Sequence, residues 1–278
     1  MPIKSILLHM AADERHAERL GTAVELARRF GAHLDILFVA TPVSMPASIV
    51  GRGASYAFLA EATAIAHEKA EVIHRRVQDV CAGTPYAWTV AEGDHVSLLA
   101  ERAAYADLAV VTQSHPEHLE DRVRLHLPDR LPLQSPCPTL VLPWDPRPAT
   151  VATDLVVAWK NTRESSLAVR GALPLLAAAR RLSVLAVDDP GERRAALAER
   201  AAEGAALVAF LGRHGVAAEA RRTEGEDAGE AILGFAREIG ADGLVMGSYG
   251  HSRLREVVIG GATRHVLGHM DLPVVMAH

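Results

Sequence analysis

The sequence predicts two tandem α/β domains, each an open parallel sheet flanked by helices, and three observations carry that prediction. Short Val/Leu/Ile runs alternate with longer amphipathic stretches, the pattern of strands joined by crossover helices. The series is written twice: Ser5–Met10 parallels Asp154–Trp159, Ala106–Val111 parallels Ala241–Met246, and Pro138–Leu142 parallels Pro273–Ala277. Self-similarity of this kind marks a duplicated unit. Between the copies, Trp144–Thr150 carries Pro146 and Pro148 at the spacing of a linker. A chain of 278 residues accommodates two domains of ordinary size, 1–144 and 152–278.

The elements follow in order. Ser5–Met10 is an apolar run that reads as a buried strand. Glu14–Phe30 places Leu20, Val24 and Ala27 at helical spacing, and Gly31 suits the helix end. Thr41–Ala54 contains Pro, Ser and Gly and reads as an irregular loop. The offset between the copies shrinks after their first strands, so this loop is the excess of the first copy. Helices fit Tyr56–Val80 and Val96–Ala104. In the second copy, helices fit Arg163–Ala179 (with Leu167, Val169, Leu173 and Leu176), Glu192–Arg213 and Ala228–Ile239. Val184–Val187 and Leu244–Met246 read as strands, and Ala262 opens a last helix before the closing strand.

Composition narrows the function classes. Hydrophobic residues are 49%, enough for a core in each half, and the net charge of −5 argues against a sequence-independent nucleic-acid binder. Cys81 and Cys137 cannot build a disulfide framework, and both read as buried small hydrophobes in a reducing compartment. The N-terminal residues lack the pattern of a signal peptide. The apolar run Gly171–Ala179 is too short to span a membrane and ends in Arg180-Arg181. A soluble, cytoplasmic protein with no nucleic-acid or membrane partner is expected.

The most informative stretch is Met246-Gly247-Ser248-Tyr249-Gly250, followed after nine residues by Gly260-Gly261-Ala262-Thr263. Glycines after a buried strand let the backbone approach a ligand closely. The second pair opens a helix, whose free N–H groups and dipole favour an anion such as phosphate. This spacing resembles the nucleotide-binding signature of the universal stress proteins, and Asp271-Leu272-Pro273-Val274-Val275-Met276 resembles their closing strand.

The resemblance implies five strands per copy in the order 3-2-1-4-5, with the two copies packed as an internal pseudo-dimer. It places nucleotide contacts at Met246, Gly247, Tyr249, Gly250, Gly260, Gly261 and Ala262, and a backbone contact to the base at Val187. It implies ATP or another adenine nucleotide as ligand, with Mg if a triphosphate is bound. Two positions depart from the family pattern. Lys160 stands where ATP-binding members carry an acidic residue, and a lysine accepts no hydrogen bond. Gly261 stands where a Ser or Thr hydroxyl is usual.

The first copy departs further. It reads Thr112-Gln113-Ser114-His115-Pro116-Glu117-His118, with Leu127-Pro128-Asp129 downstream and Ala11 at the acidic position. It is expected to be a degenerate copy kept for packing. His265 and His269, four apart, with His251 upstream, offer a metal spacing but no third ligand. His115, His118 and His126 read as a solvated loop cluster. Ser248 fits no nucleophile elbow because residue 246 is methionine, and Arg253 and Arg255 could help neutralise phosphate. No complete catalytic set is visible. The expected function is a nucleotide-binding sensor or regulator with at most slow ATP hydrolysis. It would be a pseudo-dimeric monomer or a homodimer of tandems, with a regulatory protein as partner. The alternative is a stress-related interaction scaffold that has lost nucleotide binding.

Overall fold

The apolar run Ser5–Met10 forms strand β1, with five of its six residues buried. The computed structural model describes residues 2–40, 54–114, 127–145, 152–191, 193–248 and 261–278. These fall into two compact units, Pro2–Cys137 and Pro138–His278. The loop expected at Thr41–Ala54 lies outside the described residues up to 53.

In the first unit β1 is followed by helix α1 (His16–Phe30), β2 (His33–Val39), α2 (Ala54–Val80), β3 (Tyr86–Ala91), α3 (His95–Ala103), β4 (Leu108–Thr112) and α4 (Leu127–Gln134). The strands are parallel in the order β3-β2-β1-β4. Gly31 ends α1 in the left-handed conformation, φ 60°, its N–H reaching Ala27 O and Arg28 O, as its position predicts. The helix α4 is not legible from periodicity because it is short and holds Pro128 and Pro132. Its burial of Leu127, Pro128, Leu131 and Pro132 on one stripe is what forms it.

The second unit runs β5 (Thr139–Leu142), β6 (Asp154–Ala158), α5 (Arg163–Ala178), β7 (Arg181–Asp188), α6 (Arg194–Arg213), β8 (Glu219–Glu224), α7 (Ala228–Glu238), β9 (Gly243–Gly247), α8 (Gly261–His269) and β10 (Val274–Ala277). Its parallel order β8-β7-β6-β9-β10 is 3-2-1-4-5 in the count of this copy. The expected order 3-2-1-4-5 holds for the strands of each copy, while the split into two five-stranded sheets does not follow from the ladders. The strand β5 completes the first copy in sequence, yet it lies antiparallel to β10, with Val141 opposite Val274 and Thr139 opposite Met276. All four β5 residues are buried. The described strands divide four and six between the compact units.

The duplication extends to the carboxylates that precede the fourth strands. Asp107 Oδ2 accepts from Lys4 N at 2.7 Å and Ser5 N at 3.0 Å. Its counterpart Asp242 Oδ1 accepts from Thr153 N at 2.9 Å and Asp154 N at 2.7 Å. Each carboxylate ties the start of its copy's first strand to the start of the fourth.

Asp154 itself takes both arginines of the next strand, with Arg181 Nε at 2.9 Å and Arg180 Nη2 at 2.5 Å. These hydrogen bonds hold its carboxyl well below the usual carboxylate range. In the unfolded chain the same group titrates near about 3.9. The pairing therefore contributes stability above that pH, lost as pH falls through the folded-state value. Asp154→Asn is expected to flatten the acid limb of the unfolding curve, read as the stability difference between pH 7 and pH 3; an unchanged difference would contradict this. Among the described residues no helix is long and apolar enough to cross a membrane.

Candidate functional site

In open α/β sheets a ligand crevice forms at the carboxyl ends of the strands where the order reverses, which here means between β1 and β4 and between β6 and β9. In the first copy that position is filled. Arg19 on α1 donates through Nε to His9 O at 2.7 Å, through Nη1 to Thr112 Oγ1 at 2.7 Å, and through Nη2 to Asp13 Oδ2 at 2.8 Å. The Arg19 and Asp13 side chains are only 2% and 7% exposed. One guanidinium thus bridges the ends of β1 and β4. Beside it His9 Nε2 and His95 Nδ1 are 2.9 Å apart. Sequence reasoning missed Arg19. The available signal was a charged residue on the apolar stripe of α1, which also buries Leu20, Ala23 and Ala27.

The offset that aligns Ser5 with Asp154 carries His9 to Ala158 and Arg19 to Ala168. The buried sets of α1 and α5 agree with it: Leu20, Ala23, Leu26 and Ala27 fall on Val169, Ala172, Leu175 and Leu176. The offset of the fourth strands carries Thr112 to Gly247. The second copy therefore replaces imidazole, guanidinium and hydroxyl by small residues.

The start of α5 moves into part of that space. A Cβ on Gly247 would stand 2.5 Å from Ser165 N and 2.7 Å from Glu164 C. Gly247 thus serves close strand–helix approach rather than a left-handed turn. Thr162 caps this helix, its hydroxyl accepting from Ser165 N at 3.3 Å, and Thr162 N donates to Lys160 O at 2.6 Å. The Lys160 side chain is exposed.

Met246 is buried in β9 opposite Ala158 and Met276. Ser248 is fully buried, its Oγ donating to Ala277 O at 3.1 Å, which makes it a structural hydroxyl. Gly261 opens α8 and is exposed, with nothing within 4 Å of a built Cβ, and Ala262 follows it half-buried. Val187 is half-buried at the end of β7 and its carbonyl accepts from Arg200 Nη1. Tyr249, Gly250 and Gly260 lie outside the described residues, as do His251, Arg253, Arg255, His115, His118 and His126.

The start of α8 is positioned by α7. Asp227 caps α7, accepting from Gly229 N at 2.7 Å and Glu230 N at 3.0 Å, and its Oδ2 lies 3.2 Å from His265 Nδ1. These contacts hold its carboxyl below the usual range, the backbone bond from Glu230 contributing most. The two helices meet so closely that a Cβ on Gly229 would stand 2.6 Å from His265 Cβ. His265 is thus engaged with Asp227, and His269 Nδ1 with His265 O at 2.9 Å. No group of three metal-binding side chains occurs among the described residues. Cys81 and Cys137 are buried, and burial pushes both thiols up.

A model of the universal stress protein family matches residues 2–143 and again 152–278. The chain belongs to the universal stress protein family. A comparison with curated proteins finds no significant match. Among solved structures, a universal stress protein from Archaeoglobus fulgidus is similar with a TM-score of 0.73 at 16% identity, covering 98% of this chain and 97% of that one. A functionally unknown protein from Pseudomonas aeruginosa PAO1 gives 0.60 at 20% identity, covering 99% and 92%. A universal stress protein solved in complex with cAMP matches 51% of this chain and 98% of its own, at 16% identity and a TM-score of 0.36. Both copies of this tandem universal stress protein thus carry the family pattern, whereas their crevices differ.

Proposed function

We propose that this universal stress protein is an adenine-nucleotide-binding sensor or regulator, with its ligand in the second copy. The observation that carries the reading is the contrast between the crevices. Arg19, His9 and Thr112 close the first, whereas Ala168, Ala158 and Gly247 stand at the same positions in the second. The glycine spacing supports the same copy, and the exposed, uncrowded Gly261 at the start of α8 fits a phosphate held by backbone N–H groups.

The base end falls at Val187, and Met246 forms the floor between the two strands. With a triphosphate, Mg would be held by phosphate oxygens and water, since no acidic side chain follows β6. The reading is completed by a sensing role in a cytoplasmic setting, exerted through a regulatory protein partner. The β5–β10 pairing supports an internal pseudo-dimer. The scaffold alternative draws on Lys160, which replaces an acceptor by a donor.

Isothermal titration with ATP, ADP and AMP separates the two. Heat and a thermal shift are expected; neither at millimolar ligand would leave only the scaffold. Gly261→Ser offers a finer test. It meets no neighbour, restores the hydroxyl usual in the family, and is expected to tighten ATP binding roughly two- to tenfold, the worth of one hydrogen bond. An unchanged affinity would move the phosphate away from the start of α8.

A further inference from the structure

One guanidinium of the second copy stands where a strand has ended. The strand β6 pairs with β7 as far as Ala158 opposite Leu185, and Trp159 N donates to Leu185 O at 2.8 Å. Beyond Trp159 the chain leaves the sheet. Carbonyls two residues apart on a parallel strand face the same neighbour, so Val187 O points into the space that β6 vacates, at the crevice. There it accepts from Arg200 Nη1 of α6 at 2.5 Å.

The same Nη1 stands 3.9 Å from Asp188 Oδ1, and Nη2 lies 3.5 Å from Asp189 Oδ2. Asp188 is buried and its Oδ2 is occupied, accepting from Arg222 Nε at 2.9 Å and Nη2 at 2.6 Å. Its Oδ1 is buried with no hydrogen-bond partner, a cost that proteins seldom leave in place without a use. Arg200 Nη1 therefore has two acceptors within a short swing. It holds the carbonyl of Val187, and the carboxylate oxygen of Asp188 lies beside it in an ion pair without a hydrogen bond.

We propose that Arg200 sets the base selectivity of this site. It contests Val187 O with the amino group of an adenine ring, and it yields that carbonyl by swinging onto Asp188 Oδ1. The inference rests on the nucleotide reading above. A base with a carbonyl in place of the amine, such as hypoxanthine, has no need to displace Arg200, because its oxygen accepts from the guanidinium directly. The native protein thus discriminates weakly between the two bases. Without Arg200 the carbonyl of Val187 is left as an uncontested acceptor, which a ring amine at that position satisfies and a ring carbonyl there cannot.

The test compares the affinities of ATP, inosine triphosphate and inorganic triphosphate for the native protein, Arg200→Ala and Arg200→Lys. The native ATP-to-inosine-triphosphate affinity ratio is expected near one and should rise about tenfold in Arg200→Ala, the size of one charge-assisted hydrogen bond removed from competition. Inorganic triphosphate corrects for the lost charge. Arg200→Lys, which keeps the charge without the fork, should give an intermediate ratio. ATP binding seen in Arg200→Ala alone would support the same role. A ratio unchanged within about twofold, with nucleotides still bound, would overturn the role of Arg200 alone. No binding of any of the three by any of the proteins would overturn the nucleotide reading and this inference with it.

Discussion

Arg19→Ala is expected to cost the first unit about 3–5 kcal/mol, the range for breaking one half of a buried ion pair. The substitution removes three hydrogen bonds at once, to His9 O, Thr112 Oγ1 and Asp13 Oδ2. It also leaves the Asp13 carboxylate, 7% exposed, without its guanidinium. Equilibrium unfolding in urea followed at Trp88, which lies in β3 of the first unit, reads the loss. Replacing both partners, Arg19→Met with Asp13→Leu, should recover much of the stability, because it removes both buried charges together. A loss below about 1 kcal/mol for Arg19→Ala would mean that water enters and solvates Asp13, and that the crevice of the first copy opens readily. Nucleotide affinity should be unchanged in either variant, since the proposed ligand site lies in the other copy.

Gly247→Ala is expected to destabilise the second unit by about 3 kcal/mol, the upper end for overpacking a tight contact. The new Cβ would meet Ser165 N at 2.5 Å and the carbonyl carbon of Glu164 at 2.7 Å. Both are backbone atoms of the first turn of α5, so no side chain can rotate out of the way and the helix must retreat. Gly261→Ala supplies the control, because nothing lies within 4 Å of its Cβ. Thermal unfolding of the two variants should separate them clearly, and equal midpoints would show that α5 shifts at little cost. Nucleotide affinity should fall with Gly247→Ala even where the protein stays folded, because the helix start and the strand end together form the crevice.

Much of this architecture is legible locally. The duplication, the alternation of strands and helices, Gly31 as a helix end and the buried strand before Gly247 all follow from residue type and period, which act over a few neighbours. The charged strand β8, Glu219–Glu224, escapes such reasoning because it is mostly exposed and has no apolar face to alternate; its charges suit an edge that must not pair further. The helix α4 escapes because two prolines obscure a stripe of only two turns. The partner of β5 is not written in β5 at all. Thr139–Leu142 reads as the fifth strand of its own copy, and only the three-dimensional arrangement adds the antiparallel pairing with β10.

The site divides in the same way. Glycine spacing is what directs the proposal to one copy and one strand end, because a missing Cβ is a property of one residue. The two arginines that decide which space is closed were invisible, for Arg19 acts across to Thr112 and Arg200 across to Val187. A guanidinium reaches a carbonyl far away in sequence only after helix and sheet have packed. By itself, then, the sequence determined the family and the repeated α/β plan, and it singled out the copy proposed to hold a ligand. The tertiary structure alone decided where β5 pairs, that Gly247 serves the approach of α5, and which backbone acceptors at the strand ends are already taken, because each of these depends on atoms that only folding brings within hydrogen-bond or contact distance.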